Sequence, residues 1–475
     1  VKYHLIANDD RHALVLGTGI AGLLAARILI DHFSRVTLID CSASPEKSEV
    51  RDSIPHHAHI LFVRGQRILE NLFPGLIAEL TSAGAVTVEW TADCPILFRT
   101  GWSPRFHSSL VTRTCSQQLL ERLVQQRVSE YGNGHLTILP KHQVVGLETD
   151  KTRIIGVQAC YEGVEKTIQA DLVVDATGFE SHIVEWLQTI GYPAVEETVI
   201  HSRLGYASRI YRQPHSDFDW KALFVMSDPG VSTRGGLIYP IEDDRWVVTL
   251  TGRQGDYPST DDDAFLEFAG SLRSPIICDA IRNAEPLTPI YGFRDTDNRL
   301  CHFERLSHWP DGLIVTGDAV CTLNPIYGQR MTAAGLAALV LNECLDDQHK
   351  HHLNGDLTGL GRRFQKRLAK VNSFSWLMAT VEDYRWSNTE DLLPNHTTRF
   401  IRWYSDKVMM ASVRHADIFQ NFFEVINLIK SPLTLLKPHV FARALSQNRS
   451  LLSDDMTAPP VFWHKRKTLE IAQIK

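Results

Sequence analysis

The sequence contains no Cys-x-x-Cys pair. Its eight cysteines (Cys41, Cys94, Cys115, Cys160, Cys278, Cys301, Cys321, Cys344) are scattered. That spacing offers neither a zinc site nor a disulfide framework, and it fits a reducing compartment. Long apolar runs are also missing. The longest charge-free stretches, Ala13–Ala26 and Met331–Asn342, fall short of the roughly 18 residues a membrane span requires. There is no basic excess: 49 Lys and Arg against 55 Asp and Glu leave a net charge of −6. A nucleic-acid partner, which needs a dense basic face, is not expected. The opening residues carry an Asp pair and no apolar signal core, so the expected location is cytoplasmic. Repeats and low-complexity tracts are absent. What remains is a globular composition, 44% hydrophobic and 22% charged, which excludes disorder as the main state. At 475 residues, two or three domains are expected. Ten Trp, twenty Phe and twelve Tyr are enough aromatic side chains to line a pocket for an apolar ligand.

Residues 12–40 read as a strand, a Gly-rich turn, a helix and a second strand. Helices are predicted over Ile60–Leu80, broken at Phe73-Pro74-Gly75, and over Leu110–Glu130. Thr137–Thr149 and Ile154–Cys160 read as hairpin strands, and Asp171–Asp175 as a buried strand. The middle of the chain changes character. His201–Arg212 alternates, and Gly235–Ile241 and Arg245–Thr251 flank a tight Glu242-Asp243-Asp244 turn. A helix is predicted over Met331–Leu345, and mostly helix from about residue 356 onward. In Val408–Ile429 apolar residues recur at helical spacing, as expected of a core-facing face.

Gly17-Thr18-Gly19-Ile20-Ala21-Gly22 matches G-x-G-x-x-G between a strand and a helix. Asp40 ends the next strand, 23 residues after Gly17. That is near the roughly 20 expected for a ribose-binding carboxylate. Gly17 allows the turn, Gly19 lets a pyrophosphate approach the backbone, and Gly22 lets helix and strand pack closely. The pyrophosphate would meet the helix N-terminus, whose free N–H groups favour an anion. The motif alone does not separate FAD from NAD(P).

Two later segments favour FAD. One is Asp171-Leu172-Val173-Val174-Asp175-Ala176-Thr177-Gly178. The other is Gly312-Leu313-Ile314-Val315-Thr316-Gly317-Asp318-Ala319, followed by Asn324-Pro325-Ile326-Tyr327-Gly328-Gln329-Arg330-Met331. Asp318 is placed to accept from a ribityl hydroxyl. The helix starting near Gly328 aims its N–H groups at the N1–C2=O edge of a flavin.

In order and spacing, these three segments resemble the class A flavoprotein monooxygenases, the para-hydroxybenzoate hydroxylase-like superfamily, across roughly residues 12–345. Ile54-Pro55-His56-His57-Ala58-His59, Leu69–Gly75, Arg234–Ile241 and Asp244-Arg245-Trp246 resemble one branch. That branch holds the polyene epoxidases of polyether pathways and, more distantly, squalene epoxidase. The resemblance implies an α/β fold: a Rossmann-like FAD domain, an inserted antiparallel sheet domain and a C-terminal helical region. The expected boundaries are 1–85, 105–185 and 290–355 for FAD, 86–104 and 186–289 for the substrate sheet, and 356–475 for the helices. It implies a monooxygenase using NADPH or NADH and O₂. One oxygen atom would pass from a flavin C4a-hydroperoxide to an apolar small molecule, by epoxidation or hydroxylation in secondary metabolism.

The implied cofactor residues are Gly17, Gly19, Ile20, Ala21, Gly22, Asp40, Arg51, Arg113, Asp175, Gly178, Gly317, Asp318, Pro325, Gly328, Gln329 and Met331. Arg113 matches an arginine near the FAD phosphates and ribityl chain, and Arg51 one in the flavin-lining loop. Pro325, Gly328, Arg330 and Arg51 are the candidates closest to the oxygen chemistry. Arg330 departs from the pattern, since relatives commonly carry glycine there. It either adds positive charge beside the flavin, points to solvent or obstructs the flavin site. His59, Tyr239, Ile241 and Tyr327 are candidates for the substrate pocket. His56, His57 and His59 lack a carboxylate at ligand spacing, so no metal is expected. No Tyr or His is clearly placed to activate a phenol, which favours an olefin or another apolar carbon. A flavin-dependent halogenase shares this fold, but the W-x-W-x-I-P motif of the tryptophan-type branch is absent. A flavin reductase of isoprenoid double bonds is the other alternative.

Overall fold

The computed structural model describes residues 10–41, 57–150, 153–215, 218–352, 355–386, 396–447 and 459–460. The motif-bearing strands form one parallel sheet of five: Leu313–Val315, Leu172–Asp175, His12–Leu16, Arg35–Ile39 and Leu136–Leu139, in that order. His12–Leu16 is buried throughout, which explains why it reads as a continuous apolar run rather than an alternating one. The helix Ile20–Ile30 packs on this sheet, beside the long helix Arg330–His351. The close fit depends on glycine. A Cβ on Gly22 would lie 1.9 Å from the Gly17 carbonyl oxygen, and Gly17 itself adopts φ +100°.

The second sheet has eight strands, in the order Cys321–Thr322, Tyr291–Cys301, Glu197–Arg212, Arg245–Arg253, Arg234–Ile241, Leu223–Val225, Ile96–Phe98 and Gly101–Trp102. The hairpin around Asp243-Asp244 forms as expected, with both turn residues at positive φ. Tyr291–Cys301 pairs along its length with Glu197–Arg212. The large sheet therefore takes in Tyr291–Cys301 and Cys321–Thr322, both past the expected boundary at residue 290. A three-stranded antiparallel ribbon (Gln143–Asp150, Arg153–Tyr161, Val164–Gln169) and a two-stranded pair (Val86–Glu89 with Val111–Thr114) complete the strands.

Three predicted elements are redrawn. Thr137–Thr149, expected as one hairpin strand, is two: Leu136–Leu139 joins the parallel sheet, and only Gln143–Asp150 pairs with Arg153–Tyr161. The helix expected from Leu110 starts at Gln117, where Ser116 caps it by accepting from the Leu119 N–H. Residues 111–114 are strand. The apolar spacing over Val408–Ile429 is carried by two helices, His396–Ser412 and Ala416–Ile426, rather than one. Leu360–Asp383 and Pro438–Leu445 make up the rest of the C-terminal helical layer. Phe419 and Phe423 of this layer join the cluster formed by Trp90, Phe98, Phe224 and Tyr239 of the sheet side. Among the described residues no helix is long and apolar enough to cross a membrane. None of the eight cysteines is in a disulfide, and the described residues contain no metal-ligand cluster.

Candidate functional site

A cleft of about 330 Å³ opens at the C-terminal ends of the parallel strands, where an α/β sheet places its ligands. It is lined by Gly17–Ala21, Asp40, Ala176–Glu180, Gly317, Asp318, Arg330 and Met331. Three segments distant in sequence thus meet in one place. Gly19 stands at the helix N-terminus with extended ψ, and no side chain caps the helix. A Cβ built on Gly19 would meet nothing within 4 Å, so the backbone here is open to a ligand. Gln117, from the neighbouring helix, also lines the cleft. Its buried Oε1 has no hydrogen-bond partner. An open glycine turn, an uncapped helix end, an acceptor at Asp40 and another at Asp318 fit FAD.

Asp175 and Gly22 support the cleft from behind. Asp175 is fully buried and accepts from the Thr177 N–H at 3.0 Å, the Thr177 hydroxyl at 2.6 Å and the Ser181 hydroxyl at 2.5 Å. Burial raises its pKa, and these bonds offset part of the rise. Asp175 therefore shapes the turn that presents Gly178. Arg113 does not reach the cleft. It sits on the strand Val111–Thr114, and its Nε donates to the Thr81 hydroxyl at 3.0 Å. The helix beginning at Gln117 sends Gln117 and Glu121 to the cleft instead. Arg51 and His56 lie outside the described residues.

Arg330 faces the cleft. Its guanidinium pairs with Asp318 at 2.5 Å, and the side chain is 30% exposed. The solvent-facing alternative is thereby set aside. Glu121 is the carboxylate that sequence reasoning missed. Burial raises its pKa, and a hydrogen bond from Gln117, the Arg330 charge and the Ile20 amide act against that rise. The thiols nearby are inert: burial pushes Cys41 up to about 12 and raises Cys321 as well.

A second, apolar cavity of about 510 Å³ lies between the large sheet and the C-terminal helices. The turn after Leu323 serves both spaces. Leu323, Arg330 and Met331 line the cleft, while Ile326, Tyr327 and Gln329 line the cavity. Pro325 and Gly328 lie within this partition and line neither. Asn324 anchors the turn. Its Nδ2 donates to the Thr296 hydroxyl at 2.5 Å, its backbone N–H donates to Asn298, and its Oδ1 accepts from Ile326. Tyr327 donates to Asp383, the last residue of the helix Leu360–Asp383, which also accepts from Asn298 and, at 2.8 Å, from Arg253. Burial and the Asp383 charge raise the Tyr327 pKa, so it stays a donor.

The cavity wall is aromatic: Trp90, Phe98 and Phe224 from the sheet side, Phe374, Trp386, Phe400, Tyr404, Phe422 and Phe423 from the helices. Charges at its edge neutralise one another. Arg99 and Arg385 each meet Asp406 at 2.8 Å, and Arg385 meets Glu382 at 2.9 Å. Of the four candidate pocket residues, Tyr327 lines this cavity and His59 lines the cleft. Tyr239 and Ile241 are buried in the cluster behind and line neither. The aromatic density between Phe374 and Phe441 is the sequence signal that could have pointed to the helical wall.

A family model described as an FAD binding domain matches residues 10–333. The chain belongs to this FAD-binding family. It is a flavoprotein oxidoreductase, and the class A superfamily fits its fold. Protein Rv3254 of Mycobacterium tuberculosis (strain ATCC 25618 / H37Rv) is 27% identical over 467 residues, covering 94% of this chain and 95% of that protein. The flavin-dependent brominase Bmp2 superposes with a TM-score of 0.66 at 14% identity, over 91% of this chain and 98% of that one. PqsL, a probable FAD-dependent monooxygenase from Pseudomonas aeruginosa, gives 0.59 at 19% identity, over 79% and 98%. At these identities the two structures speak for the fold, and the site must speak for the reaction.

Proposed function

We propose that this FAD-binding chain is an NAD(P)H- and O₂-dependent monooxygenase acting on an apolar small molecule, by epoxidation or hydroxylation. The observation that carries the reading is the aromatic cavity set against the cofactor cleft across one shared turn. FAD, when bound, supplies the electron transfer and oxygen activation. The chain's own residues do the rest. Gly17–Gly22, Asp40, Gly178 and Asp318 hold the cofactor. Asn324 and the Tyr327–Asp383 hydrogen bond fix the turn between the two spaces. The aromatic wall excludes water and orients the substrate.

The polar groups of the cavity favour a substrate that needs no deprotonation. No histidine lines it among the described residues. Tyr327 donates to Asp383, Tyr404 donates to the Leu435 carbonyl at 2.6 Å, and the Glu382 carboxylate, which also lines the cavity, is paired with Arg385 at 2.9 Å. Neither phenol is available as a base, and the carboxylate is engaged by its arginine. This supports an olefin or unactivated carbon over a phenol, and it is the ground for keeping the epoxidase-like branch as the working class. The proposed division of labour follows the segments named above with Tyr291–Cys301 counted to the sheet: FAD on 1–85, 105–185 and 302–355, substrate on 86–104 and 186–301, and closure of the cavity by the helices that follow residue 356.

The test is NAD(P)H oxidation by the FAD-loaded protein with a panel of polyenes, terpenoids and phenols, under ¹⁸O₂. Labelled product from the polyene or terpenoid set supports the proposal. Product that gains a halogen when bromide or chloride is supplied, without label, replaces it with halogenation. A hydrogenated isoprenoid replaces it with reduction.

A further inference from the structure

We propose that Arg330 is the counter-ion of the FAD pyrophosphate, the role that Arg113 was expected to fill. The inference rests on the reading of the cleft as the FAD site. It starts from charge. Among the described residues lining the cleft, four are carboxylates: Asp40, Glu121, Glu180 and Asp318. Arg330 is the only lysine or arginine there. FAD adds a doubly charged pyrophosphate. The helix N-terminus offers the equivalent of roughly half a positive charge, too little to balance that set. Like charges a few ångströms apart in a partly dry cleft repel strongly.

Position supports the assignment. Arg113 is turned to Thr81 and takes no part in the cleft. A Cβ built on Gly317 would lie 2.9 Å from the Ala21 side chain, so the turn carrying Asp318 packs against the first turn of the helix Ile20–Ile30, and the pair with Asp318 brings the Arg330 guanidinium to that helix end. An anion at the helix end lies within the field of Arg330. The 2.5 Å pair with Asp318 holds the guanidinium inside the cleft, where it would offer its remaining N–H groups to the phosphates as charge-assisted donors.

The experiment compares FAD, ADP and riboflavin as probes, with binding read by flavin fluorescence quenching and calorimetry at several salt concentrations. The proteins are the wild type, Arg330→Met and Arg330→Lys, each checked for an unchanged far-UV spectrum. Arg330→Met should weaken FAD and ADP about 10- to 100-fold, the range of a lost charge-assisted contact, and leave riboflavin unchanged. It should also flatten the salt dependence. Arg330→Lys should recover most of the affinity. Equal or tighter FAD binding by Arg330→Met would overturn the proposal and mark Arg330 as an obstructing latch. A riboflavin loss equal to the FAD loss would overturn it too, moving the contact to the flavin ring. A wild type that binds neither FAD nor ADP would overturn the reading of the cleft itself.

Discussion

Asp383→Asn removes one charge from the most tightly connected polar point of the molecule. Asp383 is fully buried and accepts from three elements: Arg253 and Asn298, on two strands of the large sheet separated by Glu197–Arg212, and Tyr327 on the turn between the two cavities. The Arg253 side chain is 5% exposed. Burial disfavours its charge, and Tyr327 and Asp383 more than offset that, so its pKa is raised. An asparagine keeps the shape but turns one acceptor into a donor and leaves the guanidinium without its counter-ion. Breaking a buried pair from one side costs about 3–5 kcal/mol, because the remaining charge is uncompensated. Urea unfolding followed by tryptophan fluorescence measures this directly, since Arg253 lies 5.2 Å from the Trp386 ring. The double variant Arg253→Met/Asp383→Asn should recover part of the loss, since no buried charge is then stranded. A single variant within about 1 kcal/mol of wild type would refute the reasoning, because that is the range of an exposed pair.

Gly19 and Gly22 separate binding from folding. Gly22→Ala forces a Cβ onto the Gly17 carbonyl and should destabilise the protein by about 1–3 kcal/mol or more in thermal unfolding. Gly19→Ala meets no protein atom, so the melting temperature should hold while FAD affinity falls at least about tenfold. Glu121→Gln should tighten FAD at high pH. Deprotonation of Glu121, as pH rises through its raised pKa, puts a carboxylate beside the phosphates in the wild type. Titrating FAD affinity against pH in both proteins checks this. His12 and His32 have pKa values lowered by burial. Their contribution to stability is complete above the ordinary value of 6.5 and is lost as pH falls through the lowered folded values. Melting temperatures from pH 8 to 5 should fall on the acid side, and less steeply in His32→Gln.

The cofactor cleft was legible because its residues are dictated by local geometry. Gly17 and Gly22 must be glycine for the turn and the helix contact, and Asp318 follows a buried strand, so period and spacing reveal them. The Gly-Asp and Pro-x-x-Gly segments, close in sequence, also fold close together. Arg113 was misplaced because the helix starts at Gln117 under the Ser116 cap, and six residues of strand and turn redirect a side chain completely. Glu121 carries no motif. Its place in the cleft follows from helix packing alone. The apolar cavity was legible as a surplus of aromatics but not as a location. More than half of its wall, Phe374, Trp386, Phe400, Tyr404 and Phe422 included, is brought against the sheet by tertiary packing from beyond residue 356. Tyr239 illustrates the same limit from the other side. It was a candidate for the substrate pocket, and packing turned its ring into the hydrophobic cluster instead.

We propose oxygen transfer to an apolar carbon at the wall between the two cavities. The most direct test is the isotope content of the product formed by the FAD-loaded protein from a polyene or terpenoid under ¹⁸O₂ in unlabelled water, with NADPH or NADH as reductant. The account predicts one labelled oxygen atom per product molecule and cofactor oxidation that accelerates when the substrate is added. Product carrying oxygen only from water, or no oxygenated product despite full flavin occupancy, would contradict it.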